Sequence, residues 1–332
     1  MPAADQQISR GESLEGSLRG LAEAKVARFD QDLTRLLPTR GRIGVAVSGG
    51  PDSIALLLLA AAARPGEVEA ATVDHGLRPD SAAEAAMVAE ICGRLQLPHT
   101  TLRVTVRSGA SLQAHARQAR YEAFGEWAGE RRLAAVLTAH HADDQAETLL
   151  MRLARGAGLA GLAGVRGRRS LRPGVELVRP LLGWLKDELV AMVHSANLTP
   201  VQDPANSDLR HDRTRARAFL AAQDWLDPQR LAASAAHLAQ AEEALAFIAE
   251  REFAERHTRD RETLLITAGA LPRELQRRLL LLAFAESGET APRGADLDRA
   301  LTTLLQGGAC TLGAIKLEGG DAWRLSPAPP RR

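Results

Sequence analysis

Residues 45–53 read Val-Ala-Val-Ser-Gly-Gly-Pro-Asp-Ser, and few folds accommodate such a stretch. Residues 43–47 form a short apolar run with β-branched members, as a buried strand does. Ser48, Gly49 and Gly50 break that run, and residues 54–63, rich in Leu and Ala, predict a helix. Small residues let backbone N–H groups approach a phosphate with no Cβ in the way. Between a strand and a helix N-terminus, those donors and the helix dipole favour an anion. Pro51 suits the first helical turn, where its missing N–H has no partner to lose. Asp52 and Ser53 either cap the helix or hold a metal. No Lys precedes the closing Ser, so this is not a Walker loop.

Further strands are expected at residues 68–73, 100–106, 134–138 and 177–182, and helices at 81–95, 111–130 and up to about 153, then 186–196. The first of these helices carries a capping-box pattern, Ser81 with Glu84. Strands alternating with helices imply an α/β fold with a parallel, Rossmann-like sheet. Ligands of such sheets sit at the carboxyl ends of the strands. Three polar segments fall at such ends: the Ser-Gly-Gly loop, Asp74-His75, and His140-His141-Ala142-Asp143-Asp144.

Length sets the domain count. A chain of 332 residues can hold two domains and a sizeable core. We expect a polar tail over 1–20, a catalytic domain over 21–220, and a mostly helical C-terminal domain over 221–332 ending in a short β hairpin around Gly319-Gly320, with a softer boundary near 260. A long Ala-rich helix over 230–257 connects the two. No apolar run reaches the roughly 18 residues of a membrane span. The polar N-terminus lacks an apolar signal core, and the two cysteines, Cys92 and Cys310, form neither a disulfide framework nor a metal cluster. Both features fit a cytoplasmic protein.

Net charge is +1, which gives no global basic character. Only Lys25, Lys186 and Lys316 are lysines among 42 basic residues, so arginine abundance partly reflects composition. Residues 152–179 nevertheless hold seven arginines against one acid, Glu176, including Arg155, Arg166, Arg168 and Arg169, in a stretch without helical or strand periodicity. Arg210, Arg213, Arg215 and Arg217 follow Asp203-Pro204. Arginine pairs bidentately with phosphate, and such patches attract an RNA backbone. A solvated, Arg-biased loop surface is the alternative. Gly156-Ala-Gly158-Leu-Ala-Gly161 mimics a dinucleotide fingerprint, but a helix rather than a strand precedes it, so we read it as a helix terminus.

His140-His141 with Asp143-Asp144 lacks a third ligand at zinc spacing. Mg²⁺, held by carboxylates and substrate phosphates, suits the segment better. Asp143 is expected to cap the following helix.

Taken together, Ser48 to Ser53, Asp74 to Arg78, Ala116 to Tyr121, Thr138 to Thr148, Arg155 to Gly164, Arg179 to Leu182 and Asp203 to Arg217 resemble the tRNA(Ile)-lysidine synthases, N-type ATP pyrophosphatases of the adenine nucleotide alpha hydrolase-like fold. The resemblance covers about residues 43–220. It implies ATP and Mg²⁺ as cofactors, with free L-lysine and a CAU-anticodon tRNA(Ile) as partners. ATP would adenylate the C2 oxygen of the wobble cytidine, and the lysine ε-amine would displace AMP. It assigns ATP binding to Ser48, Gly49, Gly50, Pro51, Asp52, Ser53, Asp74, His75 and His140. Asp52 and Asp144 hold metal, Asp144 or Arg117 and Arg213 meet substrate, and Asp52, Asp144 and Arg117 are catalytic. Arg155, Arg166, Arg168, Arg169 and Arg217 touch tRNA, and the C-terminal domain recognises it. The family's usual residues give way to Ala157, Ala205 and Thr214 here, all on the presumed RNA and lysine side. A further C-terminal domain of longer members has no counterpart, and the oligomeric state, monomer or homodimer, stays open. A tRNA thiolase, a small-molecule amine synthetase and a non-catalytic RNA chaperone are the competing readings.

Overall fold

The computed structural model describes residues 21–76, 81–105, 112–200, 212–290 and 292–329. The family-like segment 203–211, with Asp203, Ala205 and Arg210, and the pair Leu77-Arg78 lie outside them.

Helix α1 (Glu23–Leu36) leads into β1 (Ile43–Ala46), then α2 (Pro51–Ala63), β2 (Val68–Asp74), α3 (Ser81–Arg94), β3 (His99–Arg103), α4 (Leu112–Glu130), β4 (Ala135–Leu137) and α5 (Ala142–Leu153). A single turn, α6 (Leu159–Leu162), precedes the hairpin β5 (Arg168–Arg172) and β6 (Val175–Val178), followed by α7 (Lys186–Ser195) and α8 (Asp212–Ala221). The sheet order is β3-β2-β1-β4-β6-β5. All pairings are parallel except that of β5 with β6.

Both faces of this sheet are covered, so its central strands read as apolar runs rather than alternations. One face packs under α2, whose residues Ile54 to Ala60 are all fully buried. A helix apolar on every side belongs inside a core. The other face packs against Phe124, Trp127 and Ala128 of α4. Gly44 is what lets α4 approach β1. A Cβ there would meet the Trp127 ring at 2.5 Å, and that ring is 3% exposed. Gly44→Ala is therefore expected to destabilise the fold by about 2 kcal/mol through overpacking. Denaturant unfolding measures it, and a change below about 0.5 kcal/mol would refute the packing argument.

The stretch expected to lack periodicity is instead partly ordered. Residues 168–172 form an edge strand, because Gly174 takes a positive φ of 79° and folds β5 back onto β6. Exposed arginines along an edge strand carry no apolar alternation to read.

The chain divides into two compact units after Leu238, inside the 29-residue helix α9 (Pro228–Arg256). The second unit continues with β7 (His257–Asp260), β8 (Thr263–Ile266), α10 (Arg273–Glu286), α11 (Gly294–Leu305), β9 (Ala309–Leu312), β10 (Ile315–Glu318) and β11 (Trp323–Pro327). The expected short hairpin is a five-stranded antiparallel sheet, ordered β7-β8-β11-β10-β9. Gly313, at φ 63°, splits the expected first strand in two. Arg261, at φ 56°, turns β7 into β8 without the Asn or Gly that announces such a turn. Leu279, Leu280, Leu297, Leu301, Ile266 and Leu317 form this unit's core. No described helix is long and apolar enough to cross a membrane.

Candidate active site

The sequence of β1, loop and α2 builds the site's floor. Gly49 adopts φ 86°, which its missing side chain permits, and turns the chain sharply out of the strand. Gly50 is the N-cap of α2 and Pro51 its first residue. Ser53 staples the loop: its Oγ accepts the Ser48 N–H at 3.1 Å and donates to the Gly50 carbonyl at 2.9 Å. The first-turn N–H groups of α2 have no intrahelical partner and face an incoming anion.

β1 connects through α2 to β2 on one side, while β4 lies on its other side. That reversal is the switch point at which open parallel sheets bind ligands. A cleft of about 300 Å³ opens there, lined by Ser48, Ser53, Arg117, Tyr121, His140, Asp144 and Arg213 among others. Of the three polar segments expected at strand ends, the Ser-Gly-Gly loop gives Ser48 to its wall and the third gives His140 and Asp144, whereas Asp74 and His75 do not line it. Asp74 Oδ1 accepts the Gly76 N–H at 2.9 Å, and that bond leads the effects holding its carboxyl below the usual range. His75 Nε2 lies 3.3 Å from Arg120 Nη2; burial, then Arg120, lowers the pKa of the ring against the pull of Asp74.

Asp52 and Asp144 both face one imidazole, that of His141. Nε2 of His141 lies 3.5 Å from Asp52 Oδ2 and 3.6 Å from Asp144 Oδ2, and Nδ1 lies 3.3 Å from Asp143 Oδ2. Burial opposes charge on this ring, but Asp143, Asp52 and Asp144 outweigh it and raise the pKa to about 10. The neighbouring His140 goes the other way. Burial, helped by Arg179, Arg213 and Arg117, pushes it down to about 4 against the pull of Asp144. Its Nδ1 sits 3.1 Å from Thr138 Oγ1, so a neutral, hydrogen-bonding ring lines the cleft.

Those contacts make alkaline stability a readout. The His141 pKa is raised above its ordinary 6.5, so its ionic contacts stabilise the fold fully below about pH 6.5 and are lost as pH rises through about 10. We expect the melting temperature to drop between pH 7 and 10, and to drop less in His141→Gln. Equal drops in both proteins would remove His141 as the cause.

Asp143 is not the helix cap. His141 is the N-cap of α5, and its N–H donates to Asp144 Oδ2 at 3.1 Å. Asp143 accepts the Lys186 N–H instead, at 2.9 Å, tying α5 to α7. Tertiary bonding has taken the side chain that local spacing offered to the cap.

Glu147, one turn beyond Asp144, carries weight that the sequence reading missed. Its side chain is 1% exposed and accepts Arg213 Nε at 2.9 Å and Arg217 Nε at 2.7 Å. Arg213 Nη2 then reaches Asp144 Oδ1 at 3.3 Å. Arg217, expected on tRNA, is thus committed to docking α8 on α5. Arg155 pairs with Asp212 and Arg168 with Glu176. The spacing of Asp144 and Glu147, three apart on one helix face, was the available signal.

Mg²⁺ fits this donor set. Asp52 Oδ1 is buried without a hydrogen-bond partner, and its Oδ2 faces the same His141 Nε2 as the Asp144 carboxylate. Among the described residues no group of three His, Cys, Asp or Glu side chains forms a metal site. Two carboxylates completed by substrate phosphates are what Mg²⁺ takes and what a structural zinc does not.

The Gly-rich turn at the switch point of a parallel sheet, with no lysine, defines a PP-loop domain, and residues 21–223 match that family. Over its length the chain is 48% identical to the tRNA(Ile)-lysidine synthase of Novosphingobium aromaticivorans, across 97% of each chain, and 42% identical to that of Zymomonas mobilis, across 96% of this chain and 99% of the relative. The chain belongs to the tRNA(Ile)-lysidine synthase family and is an enzyme of that family. A solved structure with the same fold is the U34-tRNA thiolase NcsA from Methanococcus maripaludis with its [4Fe-4S] cluster (TM-score 0.54, 15% identity, 67% of this chain and 79% of that one).

Proposed function

We propose that the enzyme joins the ε-amine of free L-lysine to C2 of the wobble cytidine in a CAU-anticodon tRNA(Ile). The observation that carries this reading is the convergence of Asp144, Arg117, Arg213 and a neutral His140 on one cleft beside a phosphate loop, with Asp52 sharing the His141 ring with Asp144. In the first step the cytidine C2 oxygen attacks the α-phosphorus of ATP, and pyrophosphate leaves. The loop N–H groups and the α2 N-terminus stabilise charge on the departing phosphates. Mg²⁺ on Asp52 and Asp144 would supply further charge neutralisation there. In the second step the lysine amine attacks C2, forming the C–N bond, and AMP leaves with the C2 oxygen. Asp144, whose carboxyl is held below the usual range by His141 and Arg213 despite burial, keeps a negative charge to orient the incoming ammonium. Its proton must leave before attack, and a carboxylate in contact with it is the nearest acceptor.

Sulfur transfer is the less supported reading. Cys92 is fully buried, which pushes its thiol up to about 12, and Cys310 lies in the other unit. We assign the unit from Ala239 onward to recognition of the tRNA away from the anticodon base, because a single cytidine is common to every tRNA.

The test is an omission series with ATP, lysine and the tRNA transcript. Pyrophosphate release should require tRNA but not lysine, and AMP release should require all three. Lysine-dependent pyrophosphate release without tRNA would mean that the amino acid is activated instead, and would overturn the order of steps.

A further inference from the structure

Two guanidinium groups flank one phenol ring at the rim of the cleft. Tyr121, the only tyrosine in the chain, lines the cleft from α4. Arg117 Cζ lies 5.0 Å from its ring centroid and Arg169 Cζ 4.8 Å. A third arginine, Arg179, donates from Nη1 to the Arg166 carbonyl at 2.6 Å. Arg179 is 3% exposed, and its Nε is buried without a partner. Among the described residues, no carboxylate forms an ion pair with any of the three.

Like charges at this spacing repel. The negative face of the ring offsets part of that cost by cation–π attraction. The rest calls for an anion, and guanidinium favours phosphate. Two phosphates are at hand on our reading of the function, those of ATP and those of the RNA strand. The loop and the α2 N-terminus already cradle the first. Arg169 lies on the exposed edge strand β5 and does not line the cleft itself. A nucleotide whose base enters the cleft to meet ATP must leave its own phosphodiesters at that rim.

We propose that Tyr121 is a positioning residue that holds Arg117 and Arg169 as a clamp for the RNA phosphodiester beside the reacting nucleotide. This inference rests on the reading of tRNA as substrate and adds to it a specific contact. The clamp acts on the backbone, so it fixes the depth of the base in the cleft without reading its identity.

The experiment uses the full-length protein, with tRNA affinity measured across a salt series and ATP affinity measured without tRNA. Arg169→Gln, an exposed change, should lower the slope of log K against log salt by about 0.7, the value for one single-strand phosphate contact. Tyr121→Leu should lower it by about 1.4, because two guanidiniums lose their ring. Tyr121→Phe keeps the ring and should stay within about 0.3 of the wild-type slope. ATP affinity should change less than about twofold in Arg169→Gln, where a tenfold shift would mean about 1.4 kcal/mol of lost contact. Unchanged slopes in Arg169→Gln and Tyr121→Leu would overturn the clamp. A weakened ATP affinity with an unchanged slope would also overturn it and give the guanidiniums to the nucleotide triphosphate. Should Tyr121→Leu fail to fold, Arg169→Gln decides alone. Wild-type protein that binds no tRNA would instead overturn the proposed function itself, a result visible before any variant is made.

Discussion

Asp52→Asn should reduce pyrophosphate release by at least about a hundredfold while the protein stays folded, in line with the loss of one preorganised electrostatic group. The substitution keeps the shape of the side chain and an oxygen for His141, but removes its charge. Asp52 sits in the first turn of α2, at the mouth of the phosphate loop, and the loop itself carries no lysine to neutralise phosphate instead. Its Oδ1 makes no hydrogen bond within the protein and is left for a ligand, while Asp143 and Asp144 still face the His141 ring when the Asp52 charge is gone. The melting temperature should therefore move by no more than about 3 °C, the shift expected of roughly 1 kcal/mol in a domain of this size. Release within about threefold of wild type, in a variant with a normal melting curve, would end the metal assignment.

Glu147→Ala should damage both stability and activity. The carboxylate is buried, and it takes up the Nε groups of Arg213 and Arg217 together. Removing one side of a buried ionic cluster costs about 3–5 kcal/mol when the remaining charges stay buried. Both guanidiniums are more than a third exposed and can turn to water, so we expect about 2–3 kcal/mol. Arg213 would then lose the partner that aims it at Asp144, and kcat/KM for lysine should fall at least about tenfold, the equivalent of 1.4 kcal/mol in the transition state. Arg213→Ala separates the two effects. If it lowers kcat/KM to the same degree with a smaller loss of stability, Glu147 acts through Arg213. If it leaves kcat/KM unaltered, that chain of contacts carries no function.

The catalytic half of the architecture could be read from residues because its signals are local. An apolar run closed by Ser48-Gly49-Gly50 dictates strand, turn and helix within about twenty residues, and the same logic places Asp74 and His140 at strand ends. What stayed hidden depends on partners far along the chain. Nothing in the pattern of His140-His141 tells which ring turns inward; the meeting of Asp52, Asp143 and Asp144 around His141 does so. Glu147 reads as an ordinary helix acid until α8 arrives to pair with it. The arginines of β5 look like loop because an edge strand that shows charge outward has no alternation of polarity. The second sheet was compressed into a hairpin for a related reason: Arg261 makes its turn without the glycine or asparagine that such a backbone usually takes.

The strand order has a consequence for how the chain is made. β1, the first strand to be synthesised, ends up at the centre of the sheet, and β4, its neighbour on one side, follows only after two more strands and three helices. At roughly 5–20 residues per second on the ribosome, one edge of β1 waits several seconds for its mate. During that interval the backbone of Ile43 to Ala46 is an unpaired, apolar edge, the kind that recruits foreign strands. Mature protein guards its rims with short, arginine-bearing β5, yet the vulnerable line in the nascent chain is the one that finishes in the middle. Ligand competence comes later still, since Arg213 reaches the cleft only when α8 has left the ribosome.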